Sequence, residues 1–414
     1  ITVSRADKLE DKILISGNEA AGLGAVYGGA TFCSWYPITP STSLAEGYEK
    51  YAKKFRIENN TGKNLFASVQ AEDELAAIGM AIGANWNGAR GFTATSGPGI
   101  SLMSEFLGLA YFAEIPLVLF NVQRGGPSTG MPTRTQQSDV LACAYASHGD
   151  TKHVVLFPSD PKECFDFSAQ AFDLADQLQT PIFVVSDLDM GMNDWVCDKF
   201  KWDDEYKYNR GKVLNKDDLD EIENFGRYLD VDNDGICYRT YPGTHPEKGA
   251  FFTRGTSHDE YARYTEDGEV NAATLSRLMK KFRTASELVP EPVIEINGED
   301  SCGVIFYGST SPAVHEAKDI LKEKEINIDL MQIRSFPFNL DVWEFIANHD
   351  RIYVVEQNRD SQMRTLIMAE GGISPEILRP LVHFTGDPIQ ASYIVNKISE
   401  REVNYKSHIN AKKR

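Results

Sequence analysis

A run of alternating strand and helix signals between residues 66 and 122 constrains this chain more than any other feature. Residues 66–69 are a short, bounded apolar piece that reads as a buried strand, and residues 71–86 are dense in small and helix-forming residues. Residues 91–95 form a second strand running into Gly97-Pro98-Gly99; residues 100–112 form another helix and residues 116–122 a third strand. The order β-α-β-α-β predicts a parallel sheet, and ligands of such sheets gather at the carboxyl ends of the strands. Glu72 falls at one of those ends, where strand hands over to helix. On spacing alone Glu72, Asp73 and Glu74 read as first-turn acids, each favoured by the helix dipole by about 0.3–1 kcal/mol. The competing reading is a single carboxylate that holds a cofactor ring.

The 414 residues allow two or three domains, and the net charge of −18, with no basic stripe interleaved with aromatics, predicts no nucleic-acid partner. The longest apolar runs, such as residues 115–120, fall far short of a bilayer span, so the expectation is no membrane association and a cytoplasmic location. Six cysteines, at 33, 143, 164, 197, 237 and 302, show no CxxC spacing. Neither a Cys₄ iron–sulfur cluster nor a zinc site is expected within the chain, metal ligands are none, and the thiols read as reduced and buried. The first residue is Ile1, so the sequence is either processed or preceded by further residues.

Residues 1–11 read as a polar lead-in, residues 13–16 as a strand, 18–29 as a Gly- and Ala-rich helix and 31–36 as a further strand. Gly22, Gly24 and Gly28 miss the dinucleotide fingerprint by one position, so close helix packing explains them better than NAD. Tyr36-Pro37-Ile38-Thr39-Pro40-Ser41 forms a turn, because its two prolines cannot extend a helix, and its hydroxyls read as caps for a helix at 44–55. Arg124 follows a strand end and precedes Gly125-Gly126-Pro127, with Arg134 in the same glycine-rich loop. A loop arginine is usually a solvated charge, yet a planar guanidinium also grips a carboxylate bidentately.

The first unit closes with a strand at 153–157, a helix at 161–177 and a strand at 181–185. From 198 to about 292 the composition turns charged and polar, which reads as a long connecting arm. There Asp230-x-Asp232-x-Asp234-Gly235 imitates the start of a calcium loop, but Tyr241 stands at the twelfth position where a bidentate glutamate is needed, so a solvated acidic turn is expected. Residues 254–260, with His258, give no chemical role, and a lone histidine reads as structural. From residue 302 strand and helix alternate again, with strands at 304–307, 328–333, 352–356 and 381–384 and helices at 311–324, 341–347 and 363–369.

Four segments together carry a resemblance. TSGPG at 95–99, and QAE at 70–72 followed by a small-residue helix, resemble the pyrimidine-binding domain of thiamine-diphosphate enzymes. With YPITPST at 36–42 and NVQRGGPSTGMPTRTQQSD at 121–139, the chain resembles the alpha subunit of 2-oxoacid:ferredoxin oxidoreductases from about residue 13 to its late residues. Residues 356–360, at a strand end, look most like members acting on 2-oxoglutarate.

The resemblance implies an α/β protein: a parallel-sheet thiamine-diphosphate pyrimidine-binding domain at 8–197, an extended connecting segment at 198–300, and a smaller transketolase C-terminal-like α/β domain at 301–405. It implies catalytic roles for Glu72, Arg124 and Thr39, with Glu72 on the aminopyrimidine ring nitrogen, Thr39 lining the substrate pocket and Arg124 gripping the 2-oxoacid carboxylate. Tyr36, Pro37, Ile38 and Gly97 join Glu72 and Thr39 as cofactor contacts; Arg134 is read as meeting a distal substrate carboxylate from its place in the same loop as Arg124, not from the resemblance. Thiamine diphosphate is then shared with a partner beta subunit, which must supply the Mg²⁺ site and the [4Fe-4S] clusters, because this chain shows neither a GDG-plus-Asn motif nor cluster cysteines. Coenzyme A is the co-substrate and ferredoxin the electron partner. A gamma domain or subunit completes the assembly, and in some members it precedes this region in one polypeptide. The activity implied is oxidative decarboxylation of a 2-oxoacid, 2-oxoglutarate first, to its acyl-CoA, or the reverse. The alternatives are a non-oxidative thiamine-diphosphate decarboxylase or carboligase subunit, and a non-catalytic scaffold subunit.

Overall fold

Short bounded strand runs between helices of small residues produce the first unit. The computed structural model describes residues 11–251, 255–298 and 302–412. Most of the expected lead-in, Arg254, and the expected domain limits at 8, 300 and 301 lie outside the described residues. The chain runs β1 (Lys12–Ser16), α1 (Gly17–Tyr27), β2 (Phe32–Trp35), α2 (Thr42–Phe55), β3 (Ala67–Gln70), α3 (Glu74–Trp86), β4 (Gly91–Thr95), α4 (Gly97–Phe112) and β5 (Leu117–Gln123). It continues with α5 (Val140–Ala144), β6 (Val154–Leu156), α6 (Pro161–Leu178), β7 (Pro181–Asp187), α7 (Leu188–Met192) and β8 (Asp194–Asp198).

Six of these strands form a parallel sheet in the order β6-β7-β5-β4-β2-β3. Strand β1 is not among them; it pairs antiparallel with β8 in a separate ribbon, where its exposed Leu14 needs no second covering layer. Phe92 on β4 meets Tyr48, Phe120 and Phe172 edge to face, which places the core against α2 and α6. The glycines of α1 serve packing, as expected. A Cβ on Gly24 would lie 2.3 Å from the Phe165 carbonyl on α6, and one on Gly22 would lie 2.6 Å from the Tyr48 amide on α2.

The stretch after β8 differs from the extended connection expected. It holds α8 (Lys216–Glu221) and the 18-residue α9 (Gly268–Ala285). The buried stripe of α9 is Leu278, Lys281, Phe282 and Ala285, and the lysine within it breaks the apolar period that would have announced a helix. Lys281 Nζ donates at 2.8 Å to Glu114, a fully buried carboxylate that Arg277 also grips. These two cations hold the Glu114 carboxyl well below the usual carboxylate range despite its burial. Its folded pKa is depressed, so its stabilisation is in place above its ordinary value of 4.5 and is lost as pH falls below that. Glu114→Gln strands both cations and should cost about 3–5 kcal/mol in urea denaturation; an unchanged midpoint would show that the cluster carries no stability. In the acidic turn, Lys212 bridges Asp232 and Asp234, and Lys280 faces Asp230. His258 stacks on Tyr228 with ring centroids 3.8 Å apart, a packing role.

The last unit contains β9 (Val293–Glu295), β10 (Cys302–Phe306), α10 (Ser311–Glu323), β11 (Ile328–Gln332), β12 (Ser335–Phe336), α11 (Leu340–Ala347), β13 (Ile352–Glu356), α12 (Gln362–Gly371), β14 (Leu378–Val382) and α13 (Ala391–Lys412). Its sheet runs β14-β13-β10-β11-β9, parallel except for β9. The two-residue β12 leaves this unit and pairs antiparallel with β6, so the first sheet gains a seventh strand from the second unit.

Candidate active site

Strand order sets the geometry of the site. Going from β5 through β4 and β2 to β3, the carboxyl ends present Arg124, then Ser96-Gly97, then the 36–41 turn, then Glu72. Strands β2 and β3 are in register with Trp35 opposite Gln70, and the Ala71 amide donates to the Trp35 carbonyl at 2.8 Å. Tyr36 and Glu72 therefore leave adjacent strands side by side. The chain runs from β2 outward to β3 and then back across β2 to β4, and right-handed crossovers send α2 and α3 to opposite faces. The crevice between the ends of β2 and β4 is thus the topological switch point of the sheet.

Glu72 lies two residues before α3, whose N-cap is Asp73, with its side chain accepting from the Ala76 amide at 2.7 Å. The helix-cap work falls to Asp73, not Glu72. Glu72 is exposed, and its carboxylate has no hydrogen-bond or ion-pair partner among the described residues. The bland reading of first-turn acids fits Asp73 and Glu74 and leaves Glu72 free for a ligand.

In the neighbouring turn, the Ile38 carbonyl accepts from Ser41 Oγ at 3.1 Å and Thr42 Oγ1 at 3.2 Å. These hydroxyls knot the turn and do not cap α2 as expected; Asn18 Nδ2 fixes it from behind by donating to the Pro40 carbonyl at 2.8 Å. Tyr36, Pro37 and Thr39 remain exposed and Ile38 is half-buried. Arg124 is 7% exposed, and its Nη1 donates to the Thr39 carbonyl at 2.7 Å, so the two residues expected to contact substrate share one corner.

Gly97 opens α4, and a Cβ there would lie 2.9 Å from Asp139 Oδ2. Asp139 was missed as a site residue, although it ends the loop motif. It is half-buried, Asn121 Nδ2 donates to it at 3.1 Å, and desolvation raises its carboxyl pKa against the pull of Asn121 and Arg124. Burial in turn weakens the protonation of Arg124. Ser96 Oγ, Asn121 Oδ1 and Arg124 Nε are all buried without a partner among the described residues. Such orphans around a switch point, next to a position where no Cβ fits, are what a polar heterocycle or carboxylate would satisfy.

Arg134 stands apart. It is exposed on the 125–134 loop and pairs with Asp387 of the second unit at 2.5 Å. Of the 356–360 stretch, Glu356, Gln357 and Asn358 are buried, and Arg359 and Asp360 pair with each other on the surface. Gln357 and Asn358 bond to Gln137 or its loop: the Gln137 amide donates to the Gln357 carbonyl at 2.8 Å, and Asn358 Nδ2 donates to the Gln137 carbonyl at 2.9 Å. Most of that stretch is therefore occupied in docking the second unit behind the site loop. Among the described residues, no cluster of three His, Cys, Asp or Glu side chains is placed to hold a metal, and no helix is long and apolar enough to cross a membrane.

These features define an α/β protein with a polar ligand site at the switch point of its sheet. Residues 23–196 match the family model described as pyruvate flavodoxin/ferredoxin oxidoreductase, thiamine diphosphate-binding. The chain is 34% identical over 375 residues to the 2-oxoacid:ferredoxin oxidoreductase subunit alpha of Saccharolobus solfataricus, spanning 88% of this chain and 58% of that one. It is 31% identical over 400 residues to the 2-oxoglutarate synthase subunit KorA of Methanothermobacter marburgensis, spanning 94% of this chain and 99% of that one. In three dimensions it superimposes with a TM-score of 0.86 and 30% identity on the 2-oxoglutarate:ferredoxin oxidoreductase from Magnetococcus marinus with 2-oxoglutarate, coenzyme A and succinyl-CoA bound, covering 96% of this chain and 66% of that one. A split-gene transketolase shares the fold alone, at 10% identity and a TM-score of 0.53, over 93% of this chain and 97% of that one. The chain belongs to the family of 2-oxoacid:ferredoxin oxidoreductase alpha subunits.

Proposed function

We propose that this chain is the pyrimidine-binding half of a thiamine-diphosphate-dependent 2-oxoacid:ferredoxin oxidoreductase that converts a 2-oxoacid, 2-oxoglutarate in the first instance, and coenzyme A to the acyl-CoA and CO₂, or runs the reverse. The observation that carries this reading is the row of Glu72, Thr39, Gly97 and Arg124 along four adjacent strand ends at a switch point. Thiamine diphosphate, when bound, supplies the carbanion chemistry at the 2-oxo carbon.

The chain's own residues would do the following. Glu72 holds a proton against the ring nitrogen of the aminopyrimidine, with Tyr36, Pro37, Ile38 and Gly97 around the ring. Arg124 receives the substrate carboxylate on its guanidinium, and its bond to the Thr39 carbonyl fixes the plane of that fork. The exposure of Glu72 and Tyr36 suits a site closed by a second polypeptide, a beta subunit that holds the diphosphate through Mg²⁺ and carries the [4Fe-4S] clusters to ferredoxin.

The chain alone is expected to be inert, and with its partner to reduce ferredoxin or a viologen dye only in the presence of thiamine diphosphate. Turnover by the isolated chain would contradict this. An aldehyde or hydroxyketone product without reduced acceptor would favour the non-oxidative alternative.

If Arg134 leaves Asp387 to meet the distal carboxylate of 2-oxoglutarate, Arg134→Ala raises KM for 2-oxoglutarate about tenfold and leaves pyruvate untouched. Equal losses on both substrates would remove that role.

A further inference from the structure

At the opposite end of the sheet, by the amino ends of β4 and β5, six cationic side chains share three carboxylates. Asp173 and Asp176 take Arg90, Arg210 and Arg239, and Glu114 takes Arg277, Lys281 and, at longer range, Arg227. In a chain of net charge −18 this is a concentrated surplus of positive charge, and much of it is buried. Arg227 is 3% exposed and Arg239 5%. Each spends part of its fork: Arg227 Nη2 donates to the Glu114 carbonyl at 3.0 Å, and Arg239 Nη2 donates to Asp176 at 2.8 Å.

Each also keeps a buried nitrogen with no acceptor among the described residues, Nη1 of Arg227 and Nε of Arg239. Both residues line one small cavity of about 30 Å³, together with Glu114, Asn85, Trp86, Tyr241 and Phe251. Burial weakens the protonation of Arg239, Asp176 opposes that, and the nearby Arg227 adds to the weakening. Two guanidinium groups that repel each other beside one space, each with an unsatisfied N–H, are unfavourable unless negative charge beyond Glu114, which Arg277 and Lys281 already grip, lies between them. A neutral water can accept from both nitrogens but does not offset the charge.

We infer that this cavity is a binding site for a small monovalent anion of halide size, held by Arg227 and Arg239 and walled by Trp86, Tyr241 and Phe251. The site is separate from the strand-end row, so its failure would leave the proposed activity standing. Its chemistry admits two sources, a free halide or the carboxylate of a small acid. The cavity shares Trp86, Tyr241 and Phe251 with a neighbouring space of about 240 Å³ that could take the remainder of such an acid.

The test is a crystal of the protein, full chain in its assembled complex, soaked in bromide. An anomalous peak in contact with Arg227 Nη1 and Arg239 Nε is expected; a water alone, or a side-chain carboxylate filling the space, overturns the inference. In solution, the unfolding midpoint of the same complex in halide-free buffer should rise saturably with added bromide. That rise should be lost in Arg227→Met and Arg239→Met, and an equal rise in both variants would overturn the site. Displacement of bromide by acetate in the soak would support the carboxylate source, and retention of bromide the halide. Because the soak uses the unmodified protein, a variant that fails to fold does not spare the inference.

Discussion

Glu72→Gln is expected to lower kcat of the assembled enzyme by about 10²–10⁴, the range for a positioned acid–base group, with assembly and thermal midpoint unchanged. The second half follows from the structure, because the Glu72 carboxylate is exposed and bonds to no described residue, so the fold loses nothing when its charge is removed. The amide keeps the shape and the hydrogen-bonding reach but cannot exchange a proton with a ring nitrogen. Asp73→Asn provides the contrast. It alters the N-cap of α3 and should cost stability by no more than about 1 kcal/mol, with little effect on rate. Near-normal turnover in Glu72→Gln would end the assignment, and loss of catalysis with the complex intact would argue against a scaffold role.

Arg124→Lys is expected to lower kcat/KM roughly a hundredfold although the charge is retained. A lysine offers one point charge, whereas Arg124 already spends Nη1 on the Thr39 carbonyl at 2.7 Å and must present its remaining N–H groups to substrate. The same substitution frees the 36–41 turn, so KM should rise more than kcat falls. A variant with unchanged KM for every 2-oxoacid would show that the guanidinium only pins the turn. Steady-state kinetics on a short and a long 2-oxoacid measure both parameters.

The parallel sheet was legible because each strand is a bounded apolar run and each helix is rich in small residues, and the strand-end position of Glu72 followed from that alternation. Its neighbours were partly legible. The glycine-rich loop marked Arg124, but no pattern in the sequence shows that Arg124 reaches back to Thr39, since that contact depends on β2 and β5 lying either side of β4. Asp139 ended a quoted motif without drawing notice, because an aspartate in a polar loop gives no sign that it will pack against Gly97. Helix α9 was hidden by Lys281, a cation placed in the apolar stripe to meet Glu114 from a distant turn. The two-residue β12 and the Gln137–Gln357 contact were also invisible, since docking between units is decided by tertiary register and leaves no periodicity in either segment. Arg134 read as a substrate group from its loop, yet its partner in the fold is Asp387.

The most direct measurement is the structure of the assembled complex with thiamine diphosphate bound. The account predicts the Glu72 carboxylate at hydrogen-bond distance, about 2.6–3.2 Å, from the aminopyrimidine ring nitrogen, with the diphosphate held by another polypeptide. A ring bound away from position 72, or a diphosphate held by this chain, would contradict it.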